Sequence, residues 1–144
     1  MRITCFLTLG SLLLLPPSGP ARDPDSGSVL GWWHGTSTCV PAPWNQSCHD
    51  EEIVYHVVPA PPDSSHALLH ASKIVQGQLE PMGDQELTYV PARHTWEGDF
   101  TNTRVSIRWS FAVRGDTLIG QLRLRPDMRL ARNVVAQRAT ATAF

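Results

Sequence analysis

From residue 105 to residue 124 the chain alternates, and this alternation narrows the fold more than any other feature. Val105, Ile107, Trp109, Phe111 and Val113 fall on one side of an extended backbone, with Ser106, Arg108, Ser110 and Ala112 on the other. A period of two marks a strand with one face buried. Arg114-Gly115-Asp116 follows as a tight turn. Leu118, Gly120, Leu122 and Leu124 then alternate with Thr117, Ile119, Gln121 and Arg123. Two such runs around a Gly-Asp turn predict a β-hairpin, which accounts for the Arg-Gly-Asp tripeptide without a recognition role. Pro126-Asp127 predicts the next turn. A last run, 129–138, sets Leu130, Arg132, Val134, Ala136 and Arg138 against Ala131, Asn133, Val135 and Gln137.

The first half reads the same way, less tidily. Strands are expected over Val29–Thr38, Glu52–Val58, Leu68–Gln76, Glu86–Val90 and His94–Phe100, so the chain carries eight in all. Twelve Pro and ten Gly without a fixed period suit a turn-rich β fold. One helical turn at His66–Ser72 is the alternative there, with Ser64 and Ser65 as caps. Short connections make the strands an antiparallel meander. Eight such strands stack as a sandwich or close into a barrel, and closure removes exposed edges. The expected fold is therefore all-β, an eight-stranded antiparallel up-and-down barrel over residues 29–140, with 141–144 as a tail. Trp32 or Trp33, Trp96 and Trp109 are bulky enough to fill much of an interior that otherwise holds one small ligand.

The opening, MRITCFLTLGSLLLLPPSGPA, has one basic residue, then an apolar run of thirteen residues from Ile3 to Leu15, then small residues and prolines. This is the pattern of a cleaved signal peptide over residues 1–21, and the run is too short to span a bilayer, which takes about 20 residues. Residues 22–28 read as a flexible lead-in. The protein is expected to be exported, periplasmic or secreted. Signal removal takes Cys5 and leaves Cys39 and Cys48, an even pair in an oxidising compartment. They are expected to form a disulfide; free thiols or metal ligands are the alternatives. The bridge closes a loop of ten residues, contributing about 2.7 kcal/mol on the loop-entropy model.

A first-strand Gly-x-Trp, here Gly31 and Trp33, resembles the start of lipocalins and their calycin relatives. That resemblance implies a barrel whose floor is closed by an Arg from the last strand packed over the Trp: Arg138 here, or Arg132. The stretch from Gly31 to Arg138 also resembles small uncharacterised secreted bacterial proteins. Trp33–Cys39 matches their W-x-G-T-S-T-C opening, followed by Cys48, Asp50–Tyr55, Lys73–Gly77 and Pro81–Gly83. No activity comes with that second resemblance.

Charge is uneven. Residues 23–100 hold eleven acids and two bases, and residues 101–144 hold two acids and eight arginines. The halves can pair across strands, or the second can face an anionic partner. The formal net charge of −1 lacks the basic excess of a nucleic-acid-binding domain, so no nucleic acid is expected. Six histidines are scattered. His66 and His70 would converge on a metal only on a helix, so no metal and no cofactor is expected. No Ser sits in a nucleophile elbow. Asp50, Glu51 and Glu52, and Glu97 with Asp99, read as solvated strand faces, and no catalytic constellation emerges. Asn45-Gln46-Ser47 is a glycosylation sequon only in eukaryotic secretion.

Two functions follow. The first is an exported binding module taking a small apolar or amphipathic ligand in the barrel, with Trp96, Trp109, Phe111 and Arg132 as candidate lumen residues. The second is an interaction protein with a filled barrel that engages another envelope or secreted protein through its outer surface or the Trp44 loop. A cavity of about 300 Å³ or more would favour the first. An interior packed solid by Trp33, Trp96, Trp109, Phe111 and Leu122 would favour the second.

Overall fold

A computed structural model describes residues 27–144. The expected signal peptide and all but Gly27 and Ser28 of the lead-in lie outside the described residues. Eight strands follow in chain order: β1 (Gly31–Cys39), β2 (Glu51–Pro59), β3 (His66–Val75), β4 (Gln78–Val90), β5 (Thr95–Thr101), β6 (Ser106–Arg114), β7 (Thr117–Leu124) and β8 (Arg129–Ala139). Each pairs antiparallel with the next, and β8 returns to β1, so the sheet is a closed up-and-down barrel. This is the all-β fold expected from the alternation. His66–Ser72 is strand rather than helical turn.

Closure depends on one small residue. A Cβ on Gly35 would collide with the Val135 carbonyl and Ala136, so only glycine lets β1 lie this close to β8. The interior is apolar: Trp33, Ile53, Tyr55, Val57, Leu87, Phe111, Leu118 and Val134 are buried. Outward positions such as Glu52, His70, Asp99, Arg108, Gln121 and Asn133 are polar. A membrane barrel has the opposite polarity, with an apolar outer band. No helix among the described residues is long and apolar enough to cross a membrane.

Two elements depart from the expected reading. β4 begins at Gln78, not near Glu86. Pro81 and Gly83 disguise its first half, because neither belongs in a regular central strand. The structure accommodates them at a bulge: Ala71 pairs with Gly83 and Ser72 with Pro81, leaving Met82 over. Gln76 and Gly77, at φ 52° and 79°, turn β3 into β4. In β8, Leu122 pairs with Arg132 but Arg123 with Leu130. Ala131 is the extra residue, and the slip turns it inward to 4% exposure instead of outward.

Candidate functional site

The barrel has a packed end and a hollow end. At the packed end, the floor, Trp33 is fully buried and donates from Nε1 to the Val29 carbonyl at 2.7 Å. The Arg138 guanidinium lies 4.2 Å from its ring centroid. Nη1 and Nη2 of Arg138 donate to the carbonyls of Leu30 and Ser28, both at 2.9 Å, and Nε donates to Asp116 at 3.2 Å. One side chain therefore fixes the segment entering β1, caps the buried indole and ties in the β6–β7 turn. Arg132 is placed elsewhere. It donates to Ser37 Oγ at 3.1 Å and the His49 carbonyl at 3.0 Å, and pairs with Glu51 at 3.0 Å. Its role is to hold the β1–β2 loop at the other rim. The Cys39–Cys48 disulfide pins the same loop.

Phe111 separates floor from hollow. It is fully buried, meets Tyr55 edge-on at 5.9 Å and stacks on Trp109 at 5.4 Å. Gly120 makes room for it, since a Cβ there would stand 2.6 Å from the Phe111 ring. Beyond Phe111 lies a half-open cavity of about 230 Å³, walled by Tyr55, Leu69, Met82, Phe100, Ile107 and Trp109, with Gln85 among its few polar neighbours. Its volume exceeds the roughly 150 Å³ that accepts benzene and falls short of drug-sized pockets, which start near 300 Å³. Met82 and Phe100, at 42% and 40% exposure, stand where it meets solvent.

The opening follows from strand pairing. β4 and β5 are laddered only over Thr88–Val90 and Thr95–Glu97. Past that point Gln85 stands in for the ladder, donating from Nε2 to the Glu86 and Asp99 carbonyls at 2.9 and 3.2 Å. The strands separate toward Met82 and Phe100, leaving a seam in the wall.

Tyr55 is the polar group of interest. It is 1% exposed, and its hydroxyl makes no hydrogen bond among the described residues. Burial raises its pKa well above the ordinary phenol value, the Glu51 carboxylate adds to the rise and Arg132 opposes it. The hydroxyl is therefore a proton donor at any physiological pH.

Of the four candidate lumen residues, Trp109 lines the cavity and Phe111 lies beneath it. Trp96 faces Phe111 and Tyr89 nearer the floor, its ring 5.3 Å from Tyr89. Arg132 is engaged at the rim. Tyr55, Met82, Gln85 and Phe100 escaped sequence reading. The available signal was an inward-facing polar atom in an apolar strand: Tyr55 between Ile53 and Val57, and Gln85 two residues before Leu87.

His66 and His70 point outward on β3, bonded to Asp63 at 3.1 Å and Asp84 at 2.8 Å. Four residues apart on a strand, they are separated by about 13 Å. Among the described residues no three His, Cys, Asp or Glu side chains converge as a metal site. Glu97 and Asp99 lie on the outer face, in a network with Arg93, Arg108 and Arg125. Charge therefore pairs between the acidic and basic halves of the chain across β5 and β6. A larger hollow of about 610 Å³ around Asp116, Arg138 and Ala143 opens broadly to solvent, so it withdraws little ligand surface from water.

The fold and cavity define a class, a closed eight-stranded barrel with a small apolar chamber at one end. No protein-family model matches the chain, and no curated protein matches it significantly.

Proposed function

We propose that this chain is a small exported β-barrel binding module for a small apolar or amphipathic ligand. The observation that carries this reading is the cavity of about 230 Å³, apolar on its walls and reaching solvent at the seam; it is smaller than the roughly 300 Å³ set for a drug-sized ligand, so the reading is confined to smaller molecules. Burying a ligand's apolar surface there is worth about 25 cal/mol per Å². The Trp33–Arg138 contact is consistent with the calycin resemblance, and the disulfide is consistent with export.

Native mass spectrometry of protein purified from its own source tests the binding reading. A retained small molecule, released on denaturation, is the expected result. Bare protein, together with unchanged tryptophan fluorescence across a series of short amphiphiles, would remove it. The same spectrum tests export, with about twenty residues missing from the N-terminus. An intact start would refute it.

Trp44 supports the second reading, a protein partner at the outer surface. It stands 40% exposed on the disulfide-pinned loop, with Arg129 4.9 Å from its ring. If that loop is the contact, Trp44→Ala abolishes co-purification of the partner and leaves small-molecule retention unchanged. A partner that co-purifies equally with Trp44→Ala excludes the loop.

A further inference from the structure

We infer that the cavity takes one planar aromatic ring carrying a neutral hydrogen-bond-accepting oxygen, with the Tyr55 hydroxyl as its donor. The inference rests on the binding reading above and names the ligand class for the same site.

Three aromatic side chains, Tyr55, Phe100 and Trp109, converge on the cavity. Two of them are held at fixed attitudes by a fourth. Phe111 stacks on Trp109 with an interplanar angle of 11° and meets Tyr55 at 78°. A ring entering this space finds surfaces already oriented for offset-stacked and edge-on contacts, which aromatic pairs prefer. Met82 at the opening supplies a polarizable thioether that suits a ring edge. The volume of about 230 Å³ admits a substituted single ring, given that benzene occupies cavities of about 150 Å³.

The polar requirement is equally specific. The Gln85 amide nitrogen is already bonded to two carbonyls. Tyr55 lines the cavity, and its hydroxyl makes no hydrogen bond to another described residue, so it is free to donate. It therefore asks for an acceptor on the ligand. Neutrality follows from its surroundings. The cavity wall carries one carboxylate, Asp84, and no Lys or Arg. An anionic head would meet the Asp84 carboxylate with no Lys or Arg on the wall to offset it.

The test uses the signal-cleaved protein and four probes: acetophenone, cyclohexyl methyl ketone, ethylbenzene and decanoate. Affinities are read by calorimetry and by chemical shifts of the Trp109 indole. Acetophenone is expected to bind about tenfold tighter than ethylbenzene, which lacks the acceptor, and several-fold tighter than the saturated ketone. Tyr55→Phe should lower acetophenone affinity about tenfold and leave ethylbenzene unchanged. Decanoate or the saturated ketone binding as tightly as acetophenone would overturn the ring inference while leaving the cavity reading intact. Acetophenone affinity unmoved by Tyr55→Phe would overturn the donor assignment. If no probe binds and no native molecule is retained, the binding reading itself fails. Circular dichroism of Tyr55→Phe checks folding, and the wild-type probe series decides the ring question regardless of that variant.

Discussion

Replacing Arg138 by Met keeps an apolar stem over Trp33 and deletes the guanidinium, so it isolates what the charge contributes to the barrel floor. Three contributions are lost. The cation–π contact at 4.2 Å belongs to a side chain 34% exposed, which places it at about 1 kcal/mol. The two hydrogen bonds to the Ser28 and Leu30 carbonyls are charge-assisted at 2.9 Å. Those carbonyls lie where water can replace the donor, so each contributes about 0.5–1 kcal/mol. The exposed pair with Asp116 adds a few tenths of a kcal/mol at most. Together, Arg138→Met should cost about 2–3 kcal/mol, a fall in Tm of about 10 °C for a domain of this size. Urea unfolding followed by tryptophan fluorescence measures the loss. A double-mutant cycle with Trp33→Leu isolates the stacked pair and should return a coupling of about 1 kcal/mol. An Arg138→Met midpoint equivalent to less than about 0.5 kcal/mol, or a coupling indistinguishable from zero, would refute the reasoning.

Replacing Cys39 and Cys48 together by Ser should lower unfolding free energy by about 2–3 kcal/mol, measured by the same titration without reductant; an unchanged midpoint would mean the loop is ordered without its bridge. Asp99, held at a pKa of about 2 chiefly by the Arg108 fork and further by Arg125, gives the folded state an acid-sensitive contribution. A depressed carboxylate stabilises above its unfolded pKa, so this contribution is present at neutral pH and is lost as pH falls from about 5 toward 2. With the side chain 46% exposed, screening limits it to about 1 kcal/mol. Asp99→Asn should flatten stability between those pH values, and an acid limb as steep as the parent's would rule this out. Gly120→Ala pushes a methyl against the Phe111 ring and should cost about 1–3 kcal/mol by thermal melting; a neutral result would mean Phe111 can move.

Regular strands are legible because their periodicity is local. From 105 to 124 the inward residues, Phe111, Val113, Leu118, Gly120 and Leu122, are those that the alternation assigns. The β4 start is obscured because Pro81 and Gly83 signal a break, whereas the structure uses them to place Met82 at a bulge. The inward turn of Ala131 is invisible for a related reason. A bulge is set by what the neighbouring strand leaves unpaired, and that is a property of two segments. The Trp33–Arg138 pair lies 105 residues apart and was suggested by resemblance rather than by periodicity. The chamber was the least accessible. Tyr55, Gln85, Phe100 and Trp109 come from four different strands, and no spacing along the chain records that they share one space.

A meander with an even number of strands returns to the side it left from. Val29, ahead of β1, and Thr140, after β8, therefore emerge beside one another at the Arg138 end. A handle joined after Phe144, which packs on Trp32 and His34 of β1, whether an affinity tag, a tether to a solid support or a neighbouring polypeptide, is attached toward the closed base. The open chamber then lies at the end away from that attachment.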